Sequence, residues 1–173
     1  MKFLPIKVDI KNKIFCNVKY ISFAIDLLFR NKNMLINDYY PKSYGELLDF
    51  MIEEINAAYP WFVVGISGDI PVGVAWFTHW HKAGENNYHS CQLHACIDKK
   101  FWGKPSIYAT EQLMDFVVKN TGIKRIQMEI PEFNKIAIAY AKRAGFKEEG
   151  VLICAAVKSG KPCNHILFSR IFL

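Results

Sequence analysis

The sequence has no CxxC pair, no long apolar run and no dense tract of lysine or arginine, and each absence removes a class of protein. Its five cysteines, Cys16, Cys91, Cys96, Cys154 and Cys163, are odd in number and irregular in spacing. That argues against a disulfide framework and against structural zinc. Free, mostly buried thiols in a reducing compartment fit them better. No stretch approaches the length of a bilayer span, and the opening MKFLPIKVDI lacks the apolar core of a signal peptide. A soluble, cytoplasmic protein with no membrane partner is expected.

Repeats, low-complexity tracts and linkers are also missing, so residues 1–173 read as one domain. A chain of this size buries a substantial core without staples. With 51% hydrophobic and 22% charged residues it is globular in composition, not disordered. The net charge of +6 suits an anionic partner such as a polyphosphate cofactor, without calling for nucleic acid. His79, His81 and His89 have no acidic or cysteine partner at ligand spacing, so no metal is expected. They read as solvent-facing or packed on aromatics, with Trp76 and Trp80 on the opposite, buried face.

Residues 43 to 58 form an amphipathic helix in this reading. Ser43 can cap it, Glu46 can complete a capping box, and Leu47, Leu48, Met51, Ile52 and Ile55 make its apolar stripe. The period then changes to two. WFVVGISGDIPVGVAWFTHWHK is a hairpin around Ser67-Gly68-Asp69, and YHSCQLHACID is a third strand. A helix from about Ser106 to Asn120 buries Leu113, Phe116 and Val117 and ends at Gly122. KRIQMEI is a strand, and NKIAIAYAKRAG a helix capped by Asn134 and closed by Gly145. The last segment is a hairpin turning at Ser159-Gly160. The strand–helix–strand portion implies one parallel pair inside an otherwise antiparallel sheet. The first 30 residues are too mixed to assign.

This element order, with three short segments, resembles the GNAT superfamily of N-acetyltransferases. The segments are QLHACID followed by KKFWGK, then EIPEFNKIAIAYAKRAGF, and finally EEGV entering the last hairpin. The resemblance covers residues 61 to 170. FWGK, NTGIKRI and AGFKEEGVL are most similar to ribosomal-protein-acetylase-type members and to related bacteriophage proteins. It implies a GNAT-like α+β domain: a central mixed, mostly antiparallel twisted sheet, flanking helices, and splayed strands at the cofactor site. It implies acetyl-CoA as cofactor and an acceptor of unidentified structure bearing a primary amine, whether a protein N-terminus, a lysine or a small amine. A homodimer is compatible with it.

By the same resemblance the cofactor lies between the strands at 91–98 and 124–130. Trp102, Gly103, Lys104, Ser106 and Ile107 face its phosphates, because a helix N-terminus presents unpaired N–H groups and partial positive charge. Lys99, Lys100 and Lys104 add charge nearby. A backbone N–H at Ile97 polarises the thioester carbonyl, and Asn134 meets the pantetheine arm. Two residues remain open as general base, His94 and Glu129, since Gln92 stands where a glutamate is common and cannot take a proton. For His94 the alternative is a hydrogen-bonded sheet histidine.

Three positions depart from the family pattern. Pro105 falls on a phosphate-loop glycine and has no N–H, although proline also suits the start of a helix. A plain helix-start turn is therefore the alternative to a modified phosphate loop. Ala141 stands where many members have a tyrosine acid, and Tyr140 is about 100° away around the helix. With Gln92, these departures support a second reading: a catalytically weak or inactive GNAT-fold binding or accessory protein, of the kind found in phages.

Overall fold

The structure is a computed structural model that describes residues 1–9, 12–35, 41, 43–84 and 88–173. The stretch that the sequence left open contains β1 (Lys2–Pro5), β2 (Lys7–Asp9), β3 (Ile14–Cys16), α1 (Ile21–Arg30) and α2 (Lys32–Leu35). Next come α3 (Tyr44–Ala58), β4 (Phe62–Ser67), β5 (Ile70–Lys82) and β6 (Tyr88–Ile97). The chain continues with α4 (Lys104–Thr121), β7 (Arg125–Pro131), α5 (Lys135–Arg143), β8 (Lys147–Lys158) and β9 (Lys161–Ile171). The main sheet has the order β1-β4-β5-β6-β7-β9-β8, and β2 pairs with β3 separately. Its strands pair antiparallel at β1–β4, β4–β5, β7–β9 and β9–β8. The parallel pair is β6–β7, joined through α4, with a ladder from Ser90↔Arg125 to Gln92↔Gln127. This is the mixed, mostly antiparallel sheet with flanking helices that the sequence implied.

The residues group into two compact units. One holds Met1–Lys32, Tyr40–Phe77 and His94–Ser106; the other holds Asn33–Tyr39, Thr78–Leu93 and Ile107–Leu173. The first packs α1 and α3 on β4 and the start of β5. The expected stripe of α3 is buried at Leu47, Met51 and Ile55, and Ile25, Leu28, Phe62 and Val74 are buried with it. Burying one such side chain contributes roughly 1.5–3 kcal/mol. Ser43 caps α3 and closes a reciprocal capping box with Glu46, which satisfies two donors at the helix start. Gly73 lets β5 approach β6 closely: a Cβ there would stand 2.6 Å from the Cys96 carbonyl oxygen. Only glycine leaves that space.

The second unit is built on Leu113, Met114 and Val117 of α4, Ile126 and Ile130 of β7, Ala141 of α5 and Phe168 of β9. α4 starts at Lys104, two residues before the expected Ser106. His79 has a left-handed φ of 49°, which interrupts the strict alternation of β5. Trp76 and Trp80 are accordingly half-buried and not fully buried, while His79, His81 and His89 are exposed. β8 is irregular too. Ile153, Cys154 and Ala155 stand opposite Asn164 alone, and Cys154 has a φ of 52°.

Candidate active site

The first unit contributes the segment from His94 to Ser106. β6 ends at Ile97, and the next residue organises the loop. Asp98 donates its N–H to the Val72 carbonyl at 2.9 Å, and its carboxylate accepts from the Lys100 N–H at 3.2 Å. That cap starts a short 3₁₀ turn, Lys99–Phe101. Arg30 lies 3.6 Å and Lys100 3.9 Å from the same carboxylate. Trp102 then folds back, its indole N–H donating to the Ile97 carbonyl at 3.0 Å. The structure thus brings Ile97 and Trp102 together.

Gly103 follows with a φ of 91°, and a Cβ placed on it would meet nothing within 4 Å. A backbone in that conformation, beside open space and next to a helix N-terminus, lets an anion approach the main chain closely. The Ser106 hydroxyl donates to the Gly103 carbonyl at 2.8 Å and ties the turn to α4. Pro105 is the second residue of α4, within the turn whose N–H groups have no intrahelical partner, so its missing N–H disrupts no helical bond. Lys99, Lys100 and Lys104 are exposed around the turn. These residues fit a phosphate-bearing cofactor.

His94 is held by stacking. Its ring lies 5.1 Å from that of Trp76, and Trp76 lies 5.4 Å from Phe62, both pairs near parallel. The Trp76 indole donates to Glu54 at 3.1 Å. The sequence had set a hydrogen-bonded sheet histidine beside the catalytic reading; the contact seen here is a ring stack.

The second unit contributes Ile107, Glu129 and Asn134. The register of β7 with β9 puts Arg125, Gln127 and Glu129 on one face with Ser169, Leu167 and His165. The opposite face carries Ile126, Met128 and Ile130 with Phe168 and Arg170. Arg170 pairs with Glu111 of α4 at 2.8 and 2.9 Å and donates to the Ala144 carbonyl beyond α5. Both helices therefore lie on that second face, and Glu129 lies on the other. The Glu129 carboxylate stands 3.6 Å from Nδ1 of His165. Further along the same face Arg125 and Ser169 both donate to Glu149, and Arg125 together with Ser169 holds that carboxyl at about 2.

Asn134 is buried, and its side-chain oxygen accepts from the Ala137 N–H at 3.1 Å, capping α5. The turn before it is rigid, because Glu132 accepts from the Asn164 N–H and side-chain amide at 3.2 and 3.3 Å. The Tyr140 hydroxyl is bonded to Thr110 of α4, and Ala141 is fully buried. Tyr140 is thus tied to α4 by its hydroxyl.

Sequence reasoning passed over Asp98 and His165. Asp98 carried a signal, an N-cap residue type just after a strand. For His165 the signal was weaker, a lone ionisable ring in the apolar run CNHILF. Among the described residues no cluster of His, Cys, Asp or Glu is placed to hold a metal ion, and no helix is long and apolar enough to cross a membrane.

A family model described as an acetyltransferase (GNAT) domain matches residues 24–147. No curated protein sequence matches the chain. Among solved structures, it is similar to ribosomal-protein-alanine N-acetyltransferase from Brucella melitensis. The identity is 15%, the TM-score 0.68, and the match covers 91% of this chain and 97% of that one. It is similar to RimL, the ribosomal L7/L12 α-N-protein acetyltransferase in complex with coenzyme A, at 18% identity, TM-score 0.71 and 91% of each chain. The microcin C7 self-immunity acetyltransferase MccE, in complex with acetyl-CoA and AMP, matches at 21% identity and TM-score 0.68, over 90% of this chain and 88% of that one. At these identities the likeness speaks for the fold.

Proposed function

Because the chain belongs to the GNAT family of acetyltransferases, we propose that it moves an acetyl group from acetyl-CoA to a primary amine on an acceptor yet to be identified. The observation that carries this reading is the turn at Gly103, left-handed, open on its Cβ side and leading directly into α4. When bound, acetyl-CoA supplies the thioester whose carbonyl carbon is attacked by the amine. The backbone of Gly103, Lys104, Ser106 and Ile107 holds its phosphates, Trp102 supports the turn through Ile97, and the surrounding lysines add long-range attraction. The Ile97 N–H polarises the thioester carbonyl. Asn134, fixed by its capping bond, lines the pantetheine arm. Glu129 or His94 takes the amine proton.

Acetyl-CoA should raise the melting temperature, since a ligand at a hundred times its Kd stabilises the folded state by about 2.7 kcal/mol. Release of CoA in the presence of a panel of amines then tests transfer. No melting shift at saturating acetyl-CoA removes the proposal. The buried Ala141, in place of a hydroxyl-bearing acid, supports the second reading of a weak or inactive accessory protein. That reading expects the melting shift without amine-dependent CoA release.

A further inference from the structure

His165 sits in the middle of β9, paired across the ladder with Pro131 on one side and Leu152 on the other. Both of its ring nitrogens are buried, and among the described residues neither has a hydrogen-bond partner. A buried imidazole with neither nitrogen satisfied is destabilising, so its retention in an otherwise well-bonded strand needs a reason. Glu129 supplies part of one. Its carboxylate oxygen is 3.6 Å from Nδ1, too far for a hydrogen bond and close enough for an ion pair once the ring is charged. The side chain of Glu129 is 30% exposed and that of His165 15%, with its ring nitrogens covered, so a small ligand meets the pair at the carboxylate. Two described neighbours do not compete for the ring. Glu132 on the adjoining turn is engaged by Asn164, and β8 presents the apolar Leu152.

We propose that His165 and Glu129 together form the proton acceptor for the amine substrate, with His165 receiving the proton and Glu129 holding the imidazolium that results. The inference rests on the acetyl-transfer reading and narrows its choice of base. The acceptor arrives as a primary ammonium, attracted by the carboxylate. An N–H bond of the ammonium breaks as an O–H bond forms on the Glu129 carboxylate, and that O–H bond breaks in turn as an N–H bond forms at Nδ1; the amine keeps its lone pair, and the ring becomes positively charged. The carboxylate then approaches Nδ1–H and stabilises that charge. No further reactant is needed, and solvent later takes the proton from the ring.

Two measurements test the pair. In nitrogen-15 spectra of the histidine rings, the His165 signals are identified by their loss in His165→Gln. Glu129→Gln should move the Nδ1 signal in the protein alone, and an unmoved signal overturns the pairing. The second measurement is CoA release from acetyl-CoA with ethylamine, protonated near neutral pH, and with hydroxylamine, which is neutral there. His165→Gln should lower turnover of ethylamine about 10²-fold, the usual size of a general-base contribution. It should lower turnover of hydroxylamine less than about tenfold and leave the acetyl-CoA melting shift in place. Equal losses with both amines, or no loss with either, overturn the proposal. If the wild-type protein shows the melting shift and releases no CoA with either amine, the acetyl-transfer reading fails by itself. The pair is then judged by added ethylamine, which must move the His165 Nδ1 signal; a signal that stays put overturns it.

Discussion

His94 and Trp76 lie ring on ring, 5.1 Å apart between centroids and 14° from parallel. A residue held this way contributes packing whether or not it handles protons, and such ring pairs are worth about 0.5–1.5 kcal/mol. His94→Phe keeps the stack and should retain both the melting temperature and amine-dependent CoA release within about threefold. His94→Ala should lower stability by about 1 kcal/mol. A loss of turnover near 10²-fold in His94→Phe would return the proton-accepting role to His94.

The turn at Gly103 offers a separate test. Gly103→Val forces a β-branched residue into a left-handed conformation and fills the open side of the turn. Acetyl-CoA binding, followed by calorimetry, should be lost while the fold persists. Lys104→Ala should weaken binding only a few-fold, and less at high salt, because exposed charge is screened. Pro105→Gly should leave affinity unchanged or loosen it, since proline limits the freedom of the turn before binding. A gain of tenfold or more would mean that Pro105 blocks a phosphate contact.

Thiol chemistry should separate the cysteines. Burial pushes the thiols of Cys91 and Cys96 up to about 12, and Cys163 is buried as well. A thiol reacts as its thiolate, so iodoacetamide at mildly alkaline pH should label the exposed Cys154 first. Cys91 and Cys96 should label only on unfolding, which mass spectrometry of the native and denatured protein will read.

Glu149 should make stability depend on acid. Its folded carboxyl sits at about 2, below the ordinary 4.5, chiefly through the hydrogen bond from Arg125 and then that from Ser169. The stabilisation is present above the ordinary value and is lost as pH falls from about 4.5 towards 2. Melting temperature should fall through that range in the wild type and fall less steeply in Glu149→Gln. Parallel curves would show that the Arg125–Glu149 pair contributes nothing to stability.

Local features of this fold were legible in the chain. The Ser43–Glu46 capping box, the glycine turns at Gly68 and Gly160, and the Asn134 cap are each written in a few adjacent residues, and the structure contains all of them. The loop that ends at Ser106 was legible as a candidate for the same reason, because Ile97 to Ile107 is nearly one continuous stretch. What could not be read was register. Glu129 and His165 meet only because β7 and β9 align Glu129 with Leu167 and Pro131 with His165, and a slip of one residue would put them on opposite faces. The stacking of His94 on Trp76 depends likewise on a strand pairing between distant residues. Left-handed residues that are not glycine, such as His79 and Cys154, broke the period-two pattern where sequence would have continued it.

The interruption in β8 has a consequence for how the protein behaves in a crowded solution. β8 is an outer strand of the sheet, and Val151, Leu152 and Ile153 along it are all exposed. An unbroken apolar edge of that kind would recruit strands from other chains and seed fibrils. Here the three residues facing Asn164 throw the strand out of line, and the side-chain oxygen of Asn164 takes up the Cys154 N–H at 3.0 Å. That donor is already spent inside the molecule. A greasy margin is thereby kept from acting as a template, and shortening that detour by one or two residues should turn a dispersed protein into one that clumps.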